Sequence, residues 1–186
     1  MITIVSGLPR SGTSLMMQML QAGGMPLLVD DSRPPDQDNP RGYFEYGPVK
    51  SLETDNAWLP RAEGKALKVV SQLLYHLPRR FHYKILFMRR DLDEVLRSQE
   101  EMLQRRKTGE GPPRDLMKAH FQHHLTTLDG WLSTQPHLAV RDCHFRELVQ
   151  TPEVAILSAL EFLGLDLDPK AMSAVVDRSL YRQRAR

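Results

Sequence analysis

A single cysteine, Cys143, stands among the 186 residues, so no intramolecular disulfide can form and nothing points to an oxidising compartment. No apolar run approaches the roughly 20 residues that a membrane-spanning helix needs. The start of the chain shows no basic stretch, apolar segment or small-residue cleavage site of a secretory leader. Together these absences give the expectation of a soluble, cytoplasmic protein with no membrane span. A strong charge of one sign is missing too, because 25 Lys and Arg against 23 Asp and Glu leave a net charge of +2. That is too mild to imply a nucleic-acid partner, and no basic patch interleaved with aromatics supports one. Repeats and low-complexity tracts are likewise missing. What is present, 41% hydrophobic and 26% charged residues, matches a globular chain, and its length suits one domain spanning residues 1–186.

The pattern along the chain alternates strand and helix. Ile2–Val5 is a short continuous apolar run, as expected of a strand buried on both faces of a parallel sheet. From Ser14 to about Gln21, Leu15, Met16, Met19 and Leu20 fall at helical spacing, and Gly23-Gly24 stops that helix. Met25–Pro48 carries five prolines and is expected to be irregular; loops of that length in a compact domain usually serve function. A helix is expected from Val49 to about Asn56. Strands are expected at Lys68–Val70, Tyr83–Met88 and Leu138–Val140. Helices are expected after Asp91, where Leu92, Val95, Leu96, Gln99, Met102 and Leu103 share a face, and over Asp115–Leu132, Pro152–Leu163 and Pro169–Val176. This order predicts an α/β fold, with a mainly parallel sheet flanked by helices in three layers.

Between the first strand and helix lies Gly7-x4-Gly12-Thr13-Ser14, the frame of a Walker A loop. Glycines permit the tight turn, and the N–H groups of the loop and helix start face an anion. The Walker lysine is absent, its place taken by Thr13, and a cation appears three positions earlier as Arg10. Because that lysine normally reaches the β- and γ-phosphates, a loop charged at Arg10 suits a different phosphate arrangement. A second cationic feature ends the strand Tyr83–Met88, where Arg89-Arg90 precede an acidic helix start and Ser98 follows eight residues after Arg90. Ligands of open α/β sheets bind at the carboxyl ends of strands, which places these arginines at the same edge as Arg10. Alone, this second feature also reads as surface arginines paired with Asp91, Asp93 and Glu94.

Taken together, the two elements resemble the sulfotransferases that use 3′-phosphoadenosine 5′-phosphosulfate. Pro9-Arg10-Ser11-Gly12-Thr13-Ser14 is similar to the family's 5′-phosphosulfate loop, in the arginine form of protein-tyrosine and many bacterial members. The stretch from Ile85 to Ser98 is similar to the family's second element, whose arginine and serine contact the 3′-phosphate. Asn39–Glu45, Leu138–Leu148 and Leu160–Gly164 extend the likeness over most of the chain. Cytosolic members carry Lys-Thr-His on the strand where this sequence has Lys68-Val69-Val70, so Lys68 is kept while Val70 cannot abstract a proton. The resemblance then implies a P-loop-type domain, a sulfonate-transferring enzyme and a carboxylate base, with the nucleotide as cofactor and no metal required.

Sulfuryl transfer needs fixed positive charge at the bridging oxygen of the leaving group and a base at the acceptor. Arg10 is the first choice for that charge and Lys68 the second, while the resemblance implies that Ser11, Gly12, Thr13 and Ser14 bind the 5′-phosphate, and Arg90 and Ser98 the 3′-phosphate. Glu45 is the preferred base, with Asp31 its rival. The Met25–Pro48 loop and the Asp115–Leu132 helix are expected to shape the acceptor pocket. The acceptor, whether small molecule, sugar, lipid or peptide, is not legible, nor is homo-oligomerisation. Two other readings stand beside this one. One is a P-loop kinase or nucleotide-binding protein with a degenerate Walker A loop, and the other is a non-catalytic nucleotide-binding scaffold. His120, His123 and His124 read as an exposed helix face rather than metal ligands, since His120 and His124 lack a third partner. Arg105-Arg106-Lys107 reads as a cationic helix end. The basic tail with Arg178, Arg182, Arg184 and Arg186 reads equally as solvated or as a 3′-phosphate contact. Met16, Met17 and Met19 are expected in the core, and Cys143 as a packed thiol.

Overall fold

The structure is a computed structural model, and it describes residues 1–30, 33–37, 39–106 and 111–177. Asp31 and the tail arginines 178, 182, 184 and 186 therefore lie outside the described residues, as does Lys107. Four strands form one sheet in the order β2-β1-β3-β4: β1 (Ile2–Gly7), β2 (Ala66–Val70), β3 (Tyr83–Arg89) and β4 (Leu138–His144). All pairings are parallel, with Ile4 opposite both Leu67 and Ile85, and Ile85 opposite Val140. Parallel strands need crossovers: α1 (Thr13–Ala22) lies between β1 and β2, a 3-10 turn between β2 and β3, and α2 (Leu92–Arg106) and α3 (Arg114–Leu132) between β3 and β4. Beyond β4 come α4 (Phe145–Gln150), α5 (Pro152–Leu163) and α6 (Pro169–Ala174).

The fold is a three-layer α/β arrangement, and the alternation of side chains along the strands builds it. One sheet face presents Ile2, Ile4, Leu67, Val69, Ile85 and Phe87 to a core shared with Leu128 and Leu132 of α3. The other presents Val5, Leu86 and Met88 to α1, α4, α5 and α6. Buried on both faces, β1 is apolar except for Thr3 and Ser6, and every one of its residues is sealed. Met16, Met17 and Met19 are fully buried in the second core, as expected. Cys143 is packed there too, and burial among apolar neighbours pushes its thiol up to about 12.

Several elements differ from the sequence expectation. Where a helix is expected over Val49–Asn56, a 3-10 turn over Gly47–Ser51 forms instead, entered through Pro48. Further 3-10 turns, Leu59–Ala62 and Ser71–His76, fill the connections around β2. β4 runs four residues past Val140, through Arg141 and Asp142, because this edge strand exposes alternate side chains and needs no continuous apolar run. The helix α4 follows it directly. Within the segment 25–46 the described residues make only isolated bridges, Leu27 with Ala66 and Asp36 with Asn39. Among the described residues no helix is long and apolar enough to cross a membrane.

Because β1 is central and sealed, its packing sets the stability of the whole sheet. Ile4→Ala, which empties a fully buried site between two strands, is expected to cost about 2–5 kcal/mol, read as the change in unfolding free energy by urea titration.

Candidate functional site

Parallel pairing brings the carboxyl ends of all four strands to one edge, and there β1 turns into α1. Gly7 and Gly12 hold left-handed backbone angles, with φ of 146° and 100°. A Cβ on Gly7 would sit 2.6 Å from Ser11 Oγ and 2.8 Å from the Met88 carbonyl, and one on Gly12 would run into the Phe145 ring. Neither position admits another residue without a shift. Arg10 is also left-handed, at φ 69° without a glycine's freedom. Gly12 caps α1 with no side-chain hydrogen bond, so the first-turn N–H groups face outward. Ser11 Oγ is buried with no hydrogen-bond partner among the described residues, which is an unmet polar group inside the loop.

The two cationic elements meet at Arg10. Arg10 Nε donates to Ser98 Oγ at 2.9 Å, and Arg90 Nη1 donates to the Arg10 carbonyl at 2.9 Å. Arg90 is fixed in turn by Glu94 at 3.0 Å and lies 4.4 Å above the Phe145 ring. Asp91 caps α2 by accepting from the N–H groups of Asp93 and Glu94, so it is not an ion partner of Arg90. Arg89 points elsewhere, to Asp129 at 2.6 Å and Asp142 at 2.9 Å. Asp93 is taken by Arg114 and Lys118, which hold its carboxyl below the usual range.

On the other side of the loop, Lys68 reaches from β2 to Ser14 Oγ at 3.4 Å, to the Tyr43 carbonyl, and to Glu45 Oε1 at 3.6 Å. Burial brings Lys68 down to about 8, against the opposing pull of Glu45, and the nearby Arg33 charge adds to the lowering. Asn39 Nδ2 donates to Ser14 Oγ at 2.8 Å, which ties the irregular segment to the first turn of α1. Arg33 pairs with Glu45 Oε1 at 3.0 Å while its guanidinium lies 3.3 Å over the Tyr43 ring. Arg41 bonds the Val175 carbonyl and Asp177, pinning the same segment to the end of the described chain.

A cavity of about 430 Å³ opens between these groups, within the range of roughly 300–1,000 Å³ typical of small-ligand sites. Gly12, Thr13 and Ser14 line it together with Arg10, Lys68, Glu45, Arg90 and Ser98; Ser11 lies just beneath, 1% exposed. All the described residues singled out from the sequence for the site thus converge on one place. Sequence reasoning missed Arg33, Asn39 and Phe145: the first two sit in a segment without periodicity, and Phe145 begins a helix hidden behind an extended edge strand. In contrast to expectation, no residue of α3 lines this cavity; Phe121 of α3 packs against Leu8, Val95 and Leu96 instead. The expectation of an exposed histidine face also needs correction. His120 and His123 are exposed, whereas His124 is half-buried, its Nε2 2.9 Å from the Ser71 hydroxyl. Among the described residues no group of three or more His, Cys, Asp or Glu is placed to hold a metal.

The fold is similar to that of a sulfotransferase domain from the curacin biosynthetic pathway, with a TM-score of 0.51 and 15% sequence identity over 97% of this chain and 88% of that one. At that identity the likeness is one of fold. A sugar kinase from Janibacter sp. HTCC2649 aligns with a TM-score of 0.45 at 17% identity, over 91% of this chain and 96% of that one. No family model matches the chain, and no curated protein matches it in sequence.

Lys68 makes the site sensitive to pH. With its folded value near 8 and its ordinary value at 10.5, the native state holds fewer protons than the unfolded chain between those limits. The penalty of burying the charge is full below about 8 and vanishes as pH rises through the window. Cys143, shifted the other way, opposes this slope in both proteins and cancels in the difference. Unfolding free energy of the native protein minus that of Lys68→Met is therefore expected to rise between pH 8 and 10. The rise is limited to about 1.4 kcal/mol per pH unit for one proton.

Proposed function

We propose that the protein is a sulfotransferase, moving a sulfonate group from 3′-phosphoadenosine 5′-phosphosulfate to a hydroxyl or amine acceptor. The observation that carries this reading is the mutual bonding of Arg10 with the Arg90/Ser98 pair. It makes two anion-binding elements a few ångströms apart at one strand edge, as a nucleotide with phosphates on both its 3′ and 5′ positions requires. The fit is supported by the unmet Ser11 hydroxyl, the uncapped start of α1 and the glycines whose missing Cβ atoms leave room for close approach. A magnesium-dependent phosphoryl transferase places an acid at a strand end. Here β3 ends on Arg89 with Arg90 just after it, and Asp142 of β4 is held by Arg89.

When bound, the nucleotide supplies an activated sulfonate. Transfer would form a sulfur–oxygen bond to a hydroxyl acceptor, or a sulfur–nitrogen bond to an amine, and break the one to the bridging oxygen, whose electron pair leaves with adenosine 3′,5′-bisphosphate. Arg10 and Lys68 offset the charge that grows on that oxygen. The backbone of Gly12–Ser14 and the Ser11 and Ser14 hydroxyls hold the 5′-phosphate, and Arg90 with Ser98 holds the 3′-phosphate. Glu45 takes the acceptor's proton, no metal is needed, and the whole chain acts as one domain.

The test is a thermal-shift titration without metal. Adenosine 3′,5′-bisphosphate is expected to raise the melting temperature by mass action on the native state. Stabilisation by ATP with Mg²⁺ and none by the bisphosphate would overturn the reading. Arg10→Ala is expected to weaken bisphosphate binding by roughly 10- to 100-fold, the scale of one charged hydrogen bond. Glu45→Ala is expected to leave that binding within about twofold while turnover falls about 10²–10⁴-fold. Equal losses of binding in both variants would remove Glu45 from its role as base.

A further inference from the structure

The carboxylate of Glu45 is held asymmetrically. Oε1 takes both cations, Arg33 at 3.0 Å and Lys68 at 3.6 Å, and among the described residues Oε2 has no partner. The side chain is 21% exposed and lines the cavity. Lys68 is anchored independently of Glu45, through Ser14 and the Tyr43 carbonyl. Arg33 is anchored by its stacking at 3.3 Å on the Tyr43 ring, and that ring is fixed by the bond from its hydroxyl to Asp36 at 2.6 Å. A flat guanidinium seated on an aromatic face keeps its N–H fork in one plane, which a lysine on a flexible stem does not.

We propose that Arg33 is a positioning residue for Glu45. Stacked on Tyr43, it grips Oε1 so that Oε2 is the oxygen presented to the acceptor. This rests on the reading of Glu45 as the base. Arg33 lines the same cavity, and the role assigned to it is to act through the carboxylate rather than on the nucleotide or the acceptor. Two holds on one oxygen remove the rotation about the last side-chain bond that would otherwise spread the basic atom over many directions. The gain is one of orientation, and losing it lowers the rate of transfer without loosening the nucleotide.

A double-mutant cycle with Arg33→Ala, Glu45→Gln and the pair tests this, with Arg33→Lys as the conservative variant. Turnover is read as adenosine 3′,5′-bisphosphate formed from the phosphosulfate with 2-naphthol, 1-octanol or octylamine as acceptor. Nucleotide affinity is read by titration calorimetry with the bisphosphate. Arg33→Ala is expected to lower kcat roughly 10- to 100-fold, the scale of a misplaced catalytic group. Bisphosphate affinity is expected to stay within about twofold, and the loss is expected to disappear in the Glu45→Gln background. Arg33→Lys is expected to recover part of the rate. A fully additive cycle, an unchanged kcat in Arg33→Ala, or a loss of bisphosphate affinity equal to the loss of rate would each overturn the proposal. If Glu45→Gln keeps the wild-type rate, the base reading falls and this proposal with it. If Glu45→Gln is inactive and Arg33→Ala is not, only the present proposal falls. A wild type that transfers to none of the acceptors overturns the transfer reading itself.

Discussion

The bond from Arg90 to the carbonyl of Arg10 is the constraint on which the rest of the site depends. Arg10 occupies left-handed backbone space that a non-glycine residue holds at a cost of about 1–3 kcal/mol. That conformation turns its carbonyl to Arg90 and its guanidinium to Ser98, so the strain is offset by two bonds to the β3–α2 unit. Arg90 is rigid enough to act as the anchor because Glu94 and the Phe145 face hold it, and Asp91 fixes the helix start beside it. The same Phe145 ring occupies the space a Cβ on Gly12 would need. Loop, second strand end and the helix after β4 are therefore one packed unit.

Parallel strand order explains why these parts meet at all. With every strand running the same way, the turns after β1, β2 and β3 open on a single edge, and Lys68, Arg10 and Arg90 all stand within a few residues of it. That much was legible in the sequence, since short apolar runs, glycine spacing and an arginine after a strand each have a local cause. The extension of β4 was not legible, because an edge strand half open to water reads as polar chain. Nor was the 3-10 turn over 47–51, where Pro48 favours a tight start but no apolar period extends it.

The side of the cavity formed by segment 25–48 was the least legible part, for a definite physical reason. Segment 25–48 is held by backbone bonds to Ala66 near its start and, farther on, by its own side chains reaching out to other elements. Arg41 bonds the chain near residue 175, and Asn39 bonds Ser14. Such contacts have no period and leave no pattern to read. Glu45 and Lys68 were identified by place in the chain, yet their separation of 3.6 Å and the intrusion of Arg33 follow only from how the segment is fastened.

Ser14 shows how closely that fastening is tied to the loop between β1 and α1. A serine hydroxyl offers one proton and two acceptor sites. Here it accepts from Asn39 and from Lys68, and it donates to the Tyr43 carbonyl at 3.3 Å. All its capacity is in use. An anion seated on the first turn of α1 would gain that proton only as the Tyr43 carbonyl lost it, and the same carbonyl also accepts from the Lys68 ammonium. Filling the loop and holding the segment 39–45 are thus two sides of one exchange of hydrogen bonds. Lys68 also pairs with Glu45 at 3.6 Å. The first turn of α1, the Tyr43 carbonyl and the Glu45 carboxylate are thus joined through a single ammonium group.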